Sequence, residues 1–129
     1  MVRPLEGVRI LDLTSGPAGG IATMILADFG AEVLMIERPG IDPMMNLPAS
    51  RMWRRGKRTL PLDLSTEDGL ASLDDLCAGA DVLICNWRFA ALVRKRLNYA
   101  SLHARHAHLI LCHISGYGSL GPRCLLYTS

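Results

Sequence analysis

A chain of 129 residues, half of them hydrophobic and 20% charged, has room for one domain with one core and is not the composition of a disordered or fibrous polymer. Fourteen basic against 12 acidic residues leave a net charge of +2, too balanced to specify a polyanionic partner. No run approaches the roughly 20 apolar residues of a membrane span, and the opening MVRPLEGVRI lacks a signal-peptide core, so the expected location is cytoplasmic, with no membrane partner.

Val8 to Leu13 (VRILDL) is a short branched-apolar run bounded by Gly7 and by SGPAGG, which predicts a buried strand. Ile21 to Phe29 reads as a helix closed by Gly30, and Glu32 to Glu37 (EVLMIE) as a second strand stopped by Arg38-Pro39-Gly40. Strand, glycine turn, helix and strand make a βαβ unit, which joins parallel strands. From Ile41 to Arg58 periodicity is lost, and a long basic loop, RMWRRGKR, is expected before a strand at Thr59 to Leu64. Ser65-Thr66-Glu67-Asp68 fits a capping box with Ser65 as the cap of a helix running to about Ala78 and stopped by Gly79. Asp81 to Cys85 is the next strand, Leu92 to Leu97 and Ser101 to Arg105 are helical pieces, and Leu109 to Ser115 is the last strand. Alternation of this kind predicts an α/β fold, a mainly parallel sheet with helices over both faces.

Ligands of such sheets bind beyond the carboxyl ends of the strands, which directs attention to Thr14 to Gly20, Arg38 to Gly40, Asn86-Trp87-Arg88 and Gly116 to Pro122. The first glycine turn invites a dinucleotide reading with Glu37 as the ribose acid, but G-x-x-G-G is not G-x-G-x-x-G, and Pro17 removes an amide from the turn. A tight turn packing helix against sheet is the alternative. Arg51, Arg54, Arg55, Lys57 and Arg58 around Trp53 suit either a phosphate-bearing ligand or a solvated basic loop. One short cluster makes no nucleic-acid face. His103, His106, His108 and His113 lack the accompanying carboxylates or thiols of a metal centre, so no metal is expected. Cys77, Cys85, Cys112 and Cys124 form no C-x-x-C pair and read as buried thiols.

Five segments in order, PLEGVRILDLT, ATMILADFGAEVLMIERPG, RRGKRTLPLDL, ADVLICNWR and LILCHISGYGSLGP, resemble family III CoA-transferases, a group that includes formyl-CoA and carnitine CoA-transferases and the α-methylacyl-CoA racemases. The resemblance covers residues 4 to 122 and implies a Rossmann-like fold that binds CoA where dehydrogenases bind dinucleotides. It further implies that Arg38 meets a CoA phosphate, that Ala18 lies in the turn bordering the ligand, and that Leu62 flanks the adenine. Asn86 and Trp87 match the family's Asn-Phe pair lining the CoA site, and Arg94 fits another CoA-contacting arginine. Acyl-CoA is then a substrate, with a carboxylic acid as its partner and no permanently bound cofactor, and the full-length enzyme is a homodimer.

Departures from the family pattern accompany these matches. NFRPG becomes NWRFA, which loses a proline-glycine turn ahead of Arg94, and Gly16-Pro17 replace larger residues. Family transferases use an aspartate beyond the last glycine loop: it attacks the acyl-CoA thioester, forming a mixed anhydride and releasing CoA thiolate; CoA returns to give an aspartyl thioester with release of the donor acid, and an acceptor carboxylate finally takes the CoA. No residue of this chain is assigned that catalytic role. Residues 1–122 are expected to be the CoA-binding portion of the large domain, an N-terminal fragment, and 123–129 a non-native tail. Racemase chemistry, a non-catalytic nucleotide-binding module and a nicotinamide-dependent oxidoreductase are the alternative readings.

Overall fold

The short apolar runs form the strands and the intervening segments fold back over them as helices, in the order β1 (Arg9–Asp12), α1 (Gly16–Asp28), β2 (Glu32–Glu37), α2 (Ser50–Trp53), β3 (Lys57–Pro61), α3 (Glu67–Ala78), β4 (Val82–Cys85), α4 (Phe89–Arg94), α5 (Tyr99–Arg105) and β5 (Ile110–His113). The computed structural model describes residues 2–40 and 46–123, so Cys124 and the remainder of the expected tail lie outside the described residues. The five strands make one Rossmann-like sheet in the order β3-β2-β1-β4-β5, and every pairing is parallel. Strand order reverses direction on either side of β1, the topological switch point at which open α/β sheets take ligands.

Alternate residues of each strand face opposite ways, and the two faces carry separate cores. Leu11, Leu83 and Cys85 pack with Leu73, Cys77, Leu92 and Leu102 under α3, α4 and α5. Ile10, Val33 and Ile84 pack with Leu26 and Ala27 under α1. The second core is the thinner, and its covering helix keeps Ile21, Ile25 and Phe29 exposed at 38%, 45% and 50%. Coverage of both faces fails at β5. There Ile110 is 62% exposed and Cys112 is also exposed, because α1 reaches across β1 and β2 but no described helix lies over this strand's corresponding face. The expectation of four buried thiols is therefore corrected at Cys112.

Several boundaries move for identifiable reasons. Helix α1 begins at Gly16 rather than Ile21, so the glycine turn is the helix's first turn. Ser15 is extended (φ −125°, ψ 153°) and Pro17 stands at the opening of the helix, where its missing N–H costs nothing and its ring presets φ. Gly16 has φ +78°, a conformation that needs glycine, and an added Cβ on Gly19 would lie 2.1 Å from Cβ of Thr14. The G-x-x-G-G spacing thus serves close packing of helix on strand. The cap of α3 is Thr66, whose Oγ1 accepts from the Gly69 N–H at 3.0 Å, whereas the Ser65 hydroxyl donates to Asp63 Oδ1. Helix α4 starts at Phe89, three residues before expectation, and ends where Arg96 turns the chain at φ +57°.

The basic stretch is not a loop. Ser50–Trp53 is helical, Gly56 turns at φ +72°, and Lys57 and Arg58 already belong to β3, paired with Val33 and Leu34 of β2.

Candidate functional site

Beneath the β1–α1 turn lies a closed polar network. Asp12, at the end of the central strand, is 1% exposed. Its Oδ1 accepts from the Thr14 N–H at 2.9 Å and the Thr14 hydroxyl at 2.6 Å. Its Oδ2 accepts from the Thr23 hydroxyl at 2.6 Å and from Lys57 Nζ at 3.3 Å. Lys57 Nζ also donates to the Gly20 carbonyl at 3.1 Å, and the Lys57 side chain is only 1% exposed. Burial pushes the Lys57 pKa down, partly offset by the charge of Asp12 and the hydrogen bond to it. One carboxylate and one ammonium, both out of water, thus tie strand, turn and helix together.

A second clip crosses the switch point. Asn86, 4% exposed at the end of β4, accepts from the Ser15 N–H through Oδ1 at 3.1 Å and donates from Nδ2 to the Ser15 carbonyl at 2.6 Å. Its neighbour Trp87 donates Nε1–H to the Leu13 carbonyl at 2.9 Å. His113 Nε2 meets the Trp87 carbonyl at 2.7 Å, which requires the proton on that nitrogen. The indole so anchored carries the Arg38 guanidinium over its ring, 4.6 Å from the centroid, an attraction between cation and π-face.

These elements border an open cleft of about 1470 Å³ at the carboxyl ends of β1, β2 and β3. Thr14 and Ser15 form one part of its wall, Arg38, Pro39 and Gly40 another, and Leu62, Asp63, Leu64 and Ser65 a third, with Trp87 and Lys95 closing the side toward α4. Of the residues expected to line a ligand site, Arg38, Leu62 and Trp87 come together here. Ala18 does not line the cleft, being exposed on the first turn of α1. Asn86 lines a separate recess of about 40 Å³ with His113 and the Gly116–Ser119 loop, and its amide is occupied by Ser15. Arg94 is exposed at the end of α4 and lines neither space, while the next residue, Lys95, reaches the cleft. Thr14 and Ser15 were within the segment that strand-end logic marks out; Lys95 carried no such signal.

A family model, CoA-transferase family III, matches residues 5–125. The chain belongs to this family. It is 37% identical over 131 residues to the succinyl-CoA:glutarate CoA-transferase of Mus musculus, covering 94% of this chain and 30% of that protein. It is 36% identical over 122 residues to the α-methylacyl-CoA racemase of Homo sapiens, covering 95% and 31%. A crystal structure of a hypothetical protein from Mycobacterium tuberculosis superposes with a TM-score of 0.88 at 32% identity, covering 96% of this chain and 37% of that one. The chain spans about a third of the length of the curated relatives it matches.

In this family III chain the basic stretch is largely paired within the fold. Arg54 bonds Glu37 at 2.6 Å, Arg55 forks onto Asp28 at 3.3 and 2.6 Å, Lys57 bonds Asp12, and Arg58 lies 4.0 Å from Glu32. Trp53 is buried, and the ring packs against Gly20 rather than presenting a stacking face. Glu37, the candidate ribose acid, is engaged by Arg54. The histidines also serve the fold: His106 bonds Asp74 at 2.9 Å, His108 meets the Cys77 carbonyl at 3.3 Å, and His103 stacks on Tyr99. No group of three potential ligands that could hold a metal occurs among the described residues, and no helix among them is long and apolar enough to cross a membrane.

Burial, reinforced by the charge of Asp74, pushes the Cys77 thiol up to about 11. Burial likewise pushes Cys85 up to about 12. Thiols so held are poor nucleophiles at neutral pH. Brief treatment of the native protein with iodoacetamide, read by peptide mass spectrometry, is expected to alkylate Cys112 and spare Cys77 and Cys85. Modification of the two buried thiols at the rate of Cys112 would contradict this arrangement.

Proposed function

We propose that residues 1–122 are the CoA-binding portion of an enzyme that moves CoA between an acyl-CoA and a carboxylic acid. The observation that carries this reading is the cleft at the switch point of a family III fold, with Arg38 held over Trp87 beside the apolar Leu62. CoA brings phosphates suited to a guanidinium, an adenine suited to an apolar wall, and a pantetheine arm that needs an extended channel. The names of the relatives, CoA-transferases acting from succinyl-CoA among them, support the same chemistry. Within that reaction the residues described here bind and orient CoA, while the aspartate that would exchange acyl groups through anhydride and thioester intermediates lies beyond this chain. CoA is thus substrate rather than resident cofactor. The enzyme acts in the cytoplasm as a homodimer.

A racemase reading is favoured by one observation, the match to the human α-methylacyl-CoA racemase at nearly the same identity. It needs the same CoA site and differs in abstracting a proton beside the thioester carbonyl. In the full-length protein, transfer of CoA to an added carboxylic acid distinguishes the first reaction, and deuterium uptake at the α-carbon the second.

Titration calorimetry of the 129-residue protein with CoA and, separately, with NAD tests the binding reading directly. Saturable heat with CoA and none with NAD is expected. Binding of NAD without CoA would overturn it in favour of a dehydrogenase-like site.

A further inference from the structure

The cleft lining includes three cations, Arg38, Arg54 and Lys95, and two carboxylates, Glu37 and Asp63. Arg54 and Glu37 are bonded to one another at 2.6 Å. Asp63 Oδ1 takes both the N–H and the hydroxyl of Ser65, at 3.0 and 2.5 Å. Arg38 is placed by Trp87. Lys95 is hydrogen-bonded to neither carboxylate, although its charge helps hold the Asp63 pKa down. It is half-buried, it follows α4 directly, and its Nζ donates to the Leu64 carbonyl at 2.7 Å. A bond to a neutral carbonyl fixes the ammonium without cancelling its charge, and two of its three N–H groups remain to be directed elsewhere.

The backbone explains why this residue, and not Arg94, is aimed at the cleft. Helix α4 begins at Phe89, so successive side chains step about 100° around its axis from that start. The Lys95 N–H still bonds the Ala91 carbonyl, which holds Lys95 in the helical turn, and Arg96 at φ +57° then reverses the chain. Leu92, on the buried side of α4, fixes the helix against the sheet. Arg94 is left facing away, and Lys95 is turned toward the wall made by Leu62 to Ser65.

We propose that Lys95 is a phosphate-binding residue of this cleft, acting with Arg38 as the two cations that receive the phosphates of CoA, in the role that the family resemblance gives to Arg94. The inference rests on the CoA reading above. Arg38 enters from the end of β2 and Lys95 from the end of α4, so they meet the ligand from different elements. Asp63 in the same wall keeps the site from being indiscriminately anionophilic and favours a ligand whose phosphates can reach Lys95 past it.

Calorimetry with CoA, 3′-dephospho-CoA and pantetheine on the native chain and on Lys95→Gln, Lys95→Arg and Arg94→Gln provides the test, with circular dichroism as the check that each variant folds. Lys95→Gln is expected to weaken CoA binding by roughly tenfold, as for one charge-assisted hydrogen bond in a half-exposed setting. Lys95→Arg is expected to recover most of it, and Arg94→Gln to change it by less than about twofold. A loss seen with CoA but not dephospho-CoA assigns Lys95 to the 3′-phosphate, and a loss with both assigns it to the pyrophosphate. Unchanged CoA affinity in Lys95→Gln, or an equal loss with pantetheine, overturns the proposal while leaving the CoA site intact. Failure of the native chain to bind CoA overturns the CoA reading itself and this assignment with it.

Discussion

Lys57→Met is expected to lower the free energy of unfolding by about 3–5 kcal/mol, the range found when one member of a buried ion pair is removed. The variant leaves the Asp12 carboxylate in place at 1% exposure, still held by Thr14 and Thr23 but without a counter-charge, and strips the Gly20 carbonyl of its Lys57 donor. Urea denaturation of native and variant chains measures the difference. A loss below about 1 kcal/mol, the scale of an exposed pair, would show that the ammonium is solvated.

The pH dependence of the same variant has a definite sign. Burial holds the Lys57 pKa below its ordinary 10.5, so between the folded value and 10.5 the unfolded chain binds more protons, and stability from this group rises with pH. The two buried thiols act oppositely. Raised from 9.0 to about 11 and about 12, they keep their protons longer in the folded chain, and the stability they contribute, complete below pH 9, is lost as pH rises through that span. Lys57→Met removes this opposing contribution, and its Tm is expected to fall more steeply than that of the native protein as pH rises from 9.0 toward 10.5.

Trp87→Ala is the second large effect. The side chain is 7% exposed, packs in the larger core, bonds the Leu13 carbonyl and supports Arg38. Loss of the ring is expected to cost about 3–5 kcal/mol through the cavity left behind. Trp87→Phe keeps a π-face for the guanidinium but leaves the Leu13 carbonyl without its indole donor, at about 1–3 kcal/mol. CoA affinity should follow the ring rather than the N–H: lost in the alanine variant, largely kept in the phenylalanine one. Equal affinity in all three would mean that Arg38 finds its place without the indole.

How far the sequence reached depends on where the information is local. Strand β2 is read to the residue, Glu32 to Glu37, because its apolar run is closed by Arg38-Pro39-Gly40. Strand β3 is mistaken at its start because Lys57 and Arg58 carry no strand pattern; pairing with β2 recruits them. Lys57 itself reads as one more member of a basic cluster, since its partner Asp12 lies 45 positions away. The cleft-lining segments after β1, β2 and β4 were identifiable from the run-then-turn logic of a parallel sheet. Arg94 comes from matching the family pattern rather than from any local signal, and the structure leaves it exposed at the end of α4 while the next residue, Lys95, lines the cleft. The Ser65 cap was displaced by one residue because Asp63 competes for that hydroxyl.

The two margins of the sheet differ in a way that bears on how the molecule meets its own kind. Strand β3 edges one side with Arg58, whose side chain is 78% exposed; a charge on the border discourages a second strand. Strand β5 edges the other with Ile110 outward and no charged residue in its four positions except the titratable His113. Backbone donors and acceptors left unpaired there form a template on one side only, so refolding at rising concentration should lose yield through β5 to β5 recruitment, while the β3 margin stays clean.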